Sequence, residues 1–189
     1  MPETKTAAGT KPKTRKPRRT KRKIVEDHVR SYFEAAASRD PEAMAKHWAN
    51  DGVELIPGSP PLRGPDAIKA YFRELFAALP DAEFAVQRIV ADETGAAVEW
   101  RLSGTFTGAP YQGIEATGRR VELRGCDVLE VKASKLTSNM VYFDATEFAR
   151  QVGMLPPADS GAERAMKGAF NTVTKLRRAV NERKRGSAA

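Results

Sequence analysis

From Ile24 onward, apolar side chains recur at intervals of three and four residues (Val25, Val29, Tyr32, Phe33, Ala36), which is the spacing of one helical face. Asp40-Pro41 then reads as an N-cap and first residue of a second helix carrying Met44 and Trp48, which Asp51-Gly52 ends in a turn. Val53 to Pro57 predicts a short strand, and after a Gly/Ser/Pro loop Gly64-Pro65 opens a third helix with Ile68, Tyr71, Phe72, Leu75, Phe76 and Leu79 on its buried side. Beyond Pro80 the period drops from about 3.6 to 2. Strands are predicted over 83–91, 96–107, 119–132 and 135–143, joined by Glu93-Thr94-Gly95, a Gly-rich connection from Gly108 to Gly118, and a tight turn at Ala133-Ser134. Ala145 to Val152 predicts a short helix closed by Gly153 and Pro156-Pro157. Helices followed by a strand meander predict an α+β domain over residues 24–157, with helices covering one face of a curved antiparallel sheet.

The flanks differ from this domain. Residues 1–23 carry ten Lys/Arg against Glu3 and no large apolar residue after Met1, so they cannot bury enough surface to offset ordering and are expected to be disordered. Residues 158–189 hold eight basic and three acidic residues, whereas 24–157 holds 14 basic and 20 acidic, so the total of +8 divides into an acidic domain between two basic ends. In the C-terminal segment Ala162, Met166, Ala169, Phe170, Val173, Leu176 and Val180 recur at helical spacing, predicting an amphipathic helix. A free helix of that length is marginal, so its stripe is expected to dock on its own domain or on a dimer partner, anchored by Met166, Phe170 and Leu176. The N-terminal charge suits weak, nonspecific contact with nucleic acid or another polyanion. No apolar run is long enough to span a membrane and no secretory h-region follows the basic start, which places the protein in the cytoplasm.

One cysteine, Cys126, and two isolated histidines, His28 and His47, leave no Cys/His metal cluster, and no metal or cofactor is expected. Chemistry then falls to carboxylates, hydroxyls, arginines and aromatic rings. Asp127 shares its strand face with Val121, Leu123, Gly125, Leu129 and Val131, so it points inward, where desolvation raises its pKa toward that of a general base or acid working near neutrality. Tyr32, Trp48, Tyr71, Met140 and Tyr142 are the residues expected to line a cavity, with tyrosine hydroxyls orienting a carbonyl. Arg101, two residues from Glu99, either brackets a substrate oxygen with it or forms an outward ion pair.

Several segments resemble one family: Leu62-Arg63-Gly64-Pro65-Asp66-Ala67-Ile68, Gly104-Thr105-Phe106-Thr107-Gly108 leading to Ala116-Thr117-Gly118-Arg119-Arg120-Val121, Arg124-Gly125-Cys126-Asp127-Val128, and Tyr142-Phe143-Asp144 with Gln151-Val152-Gly153-Met154-Leu155-Pro156. They look like the SnoaL-like polyketide cyclase, or ester cyclase, group of the nuclear transport factor 2-like superfamily, over about residues 24–157. The resemblance implies a cone-shaped α+β barrel around an apolar pocket, commonly a homodimer. It also implies cofactor-free proton abstraction next to a carbonyl, with aldol closure. Asp144, in the strongest motif, is the second candidate catalytic carboxylate, although with Glu147 it also makes a capping box for the following helix. The position expected to carry the family's acid, three residues before Asp144, is Val141. Two readings stand side by side: a cyclase or isomerase acting on a small apolar carbonyl compound through Asp127, and a non-catalytic binding or assembly module tethered by its basic ends.

Overall fold

A computed structural model describes residues 19–186. Helix α1, Lys21–Ala37, begins three residues before the apolar periodicity because Thr20 caps it, its hydroxyl accepting the Lys23 N–H. Most of the expected basic tail, and with it the polyanion contact, lies outside the described residues. Asp40 caps α2, Pro41–Ala45, through the Ala43 N–H at 2.9 Å. That helix is only five residues long, so Trp48 is not helical as expected but opens strand β1, Trp48–Leu55. Asp51-Gly52 is likewise not a turn; it lies within β1, where the register shifts between Trp48 and Val53. Gly52 lies under the Trp48 ring, and a Cβ there would come within 2.8 Å of it, so the irregular strand folds over its own first side chain.

The short strand β2, Leu62–Arg63, leads into α3, Gly64–Ala78, whose first residue has φ +76°, open to glycine at no steric cost. Strands β3 (Glu83–Ala91), β4 (Gly95–Thr105), β5 (Arg120–Lys132) and β6 (Lys135–Phe143) form the antiparallel meander within a residue or two of the predicted limits. They are followed by α4, Ala145–Gln151, and α5, Gly161–Gly186. The open sheet has the order β2-β1-β6-β5-β4-β3. It is mixed rather than wholly antiparallel, since β1 returns from the helical half of the chain to lie parallel to β6. Helices α1 and α3 cover one face, and Val29, Ile68, Val98, Val121 and Leu136 are fully shielded in the core between.

The amphipathic α5 is present, but docking on its own domain is not. Met166, Phe170, Val173, Leu176 and Val180 are all exposed, Phe170 to 70%. Only the root is fixed: Glu163 is buried, accepts the Asp159 N–H at 2.9 Å, and pairs with Arg150 at 3.0 Å and Lys167 at 3.1 Å. Among the described residues no helix is long and apolar enough to cross a membrane. Because α5 adds nothing to the core, a fragment ending at Pro157 should unfold cooperatively with a melting temperature within about 3 °C of the full chain. Circular dichroism checks this, and loss of a cooperative transition would make α5 part of the folding unit.

Candidate functional site

Four neighbouring strands each place one polar or aromatic side chain in a row across the covered face of the sheet. Glu54 of β1 is the ladder partner of Asn139 of β6. Asp127 of β5 faces Val141, two residues along from Asn139, so Asn139 and Asp127 are diagonal neighbours on one face. Trp100 of β4 faces Gly125 and stands diagonal to Asp127. The side chains close this row into a chain of hydrogen bonds. Asn139 Nδ2 donates to Glu54 Oε1 at 3.0 Å and to Asp127 Oδ2 at 2.9 Å, and Trp100 Nε1 donates to Asp127 Oδ1 at 2.7 Å. The indole packs against Phe84 and Phe143 and over Gly125, where any Cβ would overlap the ring.

Glu54, Asp127 and Trp100 line a cavity of about 330 Å³, at the small end of the range for ligand sites. Its walls are otherwise apolar and aromatic: Tyr32 and Phe33 from α1, Tyr71 and Phe72 from α3, Phe148 from α4. The 108–118 connection supplies Tyr111 and Gln112 to the lining. Tyr111 Oη lies 2.6 Å from Tyr71 Oη, and Gln112 Nε2 donates to Ser59 Oγ at 2.8 Å, which ties this connection to the loop after β1. Among the described residues no Arg, Lys or His lines the cavity. No cluster of three or more His, Cys, Asp or Glu suited to a metal occurs among the described residues.

Burial sets the proton affinities. Asp127 is pushed up to about 6 by desolvation, held back by its Asn139 and Trp100 hydrogen bonds, which favour the anion. Glu54 has only the Asn139 bond, and desolvation together with the nearby Asp127 charge pushes it up to about 8. The two titrate as a unit, each charge opposing the other. Of the two, Asp127, which accepts from both Asn139 and Trp100, is the better-stabilised anion, and Glu54 is the better place for a shared proton. Since Glu54 Oε1 accepts from Asn139, the proton belongs on Oε2, which is buried and has no partner. Tyr32 is held far above its ordinary range by burial and by both carboxyl groups.

Of the residues expected at the site, Asp127, Tyr32 and Tyr71 meet at the cavity. Trp48 is buried behind Tyr32, ring centroids 6.1 Å apart, and does not line it. Met140 and Tyr142 point outward, with Tyr142 56% exposed, because Asn139, Val141 and Phe143 occupy the inner parity of β6. Arg101 lies on the outer face and pairs with Glu122 at 2.8 Å, not with Glu99. Asp144 is outside the cavity: its Oδ1 accepts the N–H groups of Thr146 at 2.8 Å and Glu147 at 3.0 Å, capping α4. The reciprocal half of the expected capping box is missing, since Glu147 accepts instead from Gln151 at 2.9 Å.

Sequence reasoning missed Glu54 and Asn139. Glu54 stands between Val53 and Leu55, so alternation sends the apolar pair inward and the acid to solvent, the reverse of what β1 does. The register shift after Trp48 and the parallel pairing with β6 account for the reversal. Asn139 offers no apolar cue, and the parity of Val141 and Phe143 was the one signal that could have located it.

The raised proton affinities predict a stability profile. Between about pH 5 and 8 the folded chain keeps a proton on Glu54 that the unfolded chain has released, so stability falls as pH rises through that window. Asp127 adds the same sign between about 4 and 6. Glu54→Gln removes the wider of these two dependences; it should flatten the profile and raise the melting temperature at pH 8 by about 3–8 °C, with little change at pH 5. A wild-type melting temperature independent of pH from 5 to 8 would show that Glu54 is not a buried acid.

Three solved structures share this architecture. A protein from Jannaschia sp. CCS1 named for the SnoaL-like polyketide cyclases superposes with TM-score 0.66 at 14% identity, covering 75% of this chain and 99% of its own. A protein from Xanthomonas campestris pv. campestris named for the polyketide cyclases gives 0.62 at 21% identity, over 71% and 100%. A protein of ketosteroid isomerase-like fold from Catenulispora acidiphila, in complex with trimethylamine, gives 0.57 at 18% identity, over 71% and 96%. At these identities the likeness is one of fold. No curated protein matches the chain. The SnoaL-like domain family, however, matches residues 29–139, more than half of the sequence and the stretch that holds Tyr32, Glu54, Asp127 and Asn139. The chain therefore belongs to the SnoaL-like domain family.

Proposed function

We propose that this domain binds a small, mainly apolar carbonyl compound in its cavity and moves a proton on it with Asp127 and Glu54. The observation that carries the reading is the pair itself: two carboxyl groups sharing one amide in an apolar cavity, their surroundings dividing one charge and one proton between them. Asp127 takes the proton from the carbon next to the carbonyl; the C–H bonding pair becomes the enolate, whose oxygen receives a hydrogen bond from Glu54 Oε2–H. Returning the proton to a different carbon isomerises the compound. Attack of the enolate carbon on a second carbonyl of the same molecule closes a ring, breaking that carbonyl's π bond, and the alkoxide so formed takes back the proton held by Asp127. The names of the Jannaschia and Xanthomonas proteins accord with the second course.

Val141 supports the same assignment. It occupies the position expected to carry the acid, and its direct ladder partner is Asp127, so the carboxylate is supplied one strand over, into the same cavity. A lining without a cation among the described residues disfavours ligands that carry a carboxylate or phosphate.

The test is deuterium uptake from D2O beside the carbonyl in a panel of small cyclic ketones and β-keto esters, followed by NMR. Exchange should rise with pH as Asp127 ionises near 6 and fall as Glu54 ionises near 8. Asp127→Asn should slow it by about 100-fold or more, and Glu54→Gln should abolish the upper limb. Asp144→Asn should leave exchange unchanged, since Asn caps as well as Asp. Exchange no faster than in buffer across the panel, or equal in Asp127→Asn, would reduce the site to a binding cavity.

A further inference from the structure

We infer that α5 is a membrane-surface helix, which lays its apolar stripe on a bilayer rich in anionic lipid. The stripe is continuous: Ala162, Met166, Ala169, Val173, Leu176 and Val180 alternate at separations of four and three, with Phe170 at their border. It is uncovered, and its three most exposed large side chains are Phe170 at 70%, Leu176 at 62% and Val180 at 51%. A helix of this kind persists in water only when something takes up that face.

Charge decides what. Between 161 and 186 the sequence holds eight Lys/Arg against Glu163 and Glu182, and Glu163 is consumed at the root by Arg150 and Lys167. A second copy of α5 would meet the stripe but bring another strongly basic helix alongside. Nucleic acid would meet the charge but leave Phe170 and Leu176 in water. An anionic lipid surface satisfies both, the apolar side chains entering the headgroup boundary while the basic ones stay among phosphates. The helix has the low overall hydropathy of surface-lying helices, and it is not one that crosses the bilayer.

The root of α5 is rigid where it needs to be. The Ser160 hydroxyl accepts the Glu163 N–H at 3.1 Å, Arg164 donates to the Asp159 carbonyl at 2.8 Å, and Arg150 joins α5 to α4, whose Phe148 and Ala149 form one wall of the cavity. A lipid-bound α5 therefore keeps the cavity beside the bilayer. The inference is independent of the chemistry proposed for that cavity.

The test is co-sedimentation of the full chain with vesicles of phosphatidylcholine and phosphatidylglycerol, against vesicles of phosphatidylcholine alone. The wild type should partition to the mixed vesicles only. Phe170→Ser with Leu176→Ser keeps every charge and should weaken partitioning at least about 10-fold. Lys175→Glu with Arg178→Glu keeps the stripe and should weaken it comparably. All four side chains are exposed, so circular dichroism should show both variants folded. Three results would overturn the inference: wild type that fails to sediment with the mixed vesicles, serine variant that sediments as well as wild type, or lipid-free dimer in the ultracentrifuge that the serine changes dissociate. The second would assign binding to basic residues alone, and the third would give the stripe to a second copy.

Discussion

One amide holds two carboxyl groups in a cavity where neither would otherwise be stable. Moving a carboxylate from water into apolar surroundings costs several kcal/mol unless donors meet it. Asn139 Nδ2 meets Glu54 and Asp127 together, and Trp100 supplies a further donor to Asp127 alone. That asymmetry, two donors against one, favours the anion at Asp127 over the anion at Glu54. The topology serves the arrangement. Without β1 lying parallel to β6, Glu54 would not be the ladder partner of Asn139; without the β5–β6 hairpin, Asp127 would not be its diagonal neighbour.

Most of the fold was legible because its elements follow single periodicities. The core positions of α1 and α3, and the limits of β3 to β6, come from repeats of 3.6 and 2 bounded by Gly and Pro. Asp127 was legible for the same reason, since its apolar neighbours of like parity, Leu123 and Leu129, are buried with it. Legibility failed where two effects competed. At Trp48 the pattern of a helix and that of a bulged strand overlap, and the long-range pairing with β6 decided the outcome. At Met140 and Tyr142 side-chain type pointed inward while parity pointed out, and parity prevailed because Phe143 and Val141 fill the inner positions. Glu54, one half of the buried carboxyl pair, was hidden by the strand order, which no local pattern contains.

The cavity and the basic charge lie in different parts of the chain. The Jannaschia and Xanthomonas structures are covered almost end to end, while about a quarter of this chain lies outside each match. Residues 24–157 are acidic and enclose the cavity; the two ends carry the basic charge. The domain and the C-terminal end meet at the Arg150–Glu163 pair, which is largely shielded and joins the last wall of the cavity to the root of α5. Whatever restrains α5 thus acts on α4 through a charge-assisted bond rather than through a flexible linker.

Gly125 governs more than its own conformation. The Trp100 ring occupies the space that a side chain at 125 would need, and the position of that ring decides whether Asp127 receives its second donor. A larger residue at 125 would overlap the indole, so the ring would have to shift, and any loss of its bond to Asp127 Oδ1 would raise the proton affinity of the aspartate. Residue size at that one strand position therefore acts on the proton affinity of Asp127 through a steric allowance rather than through a change of any ionisable residue.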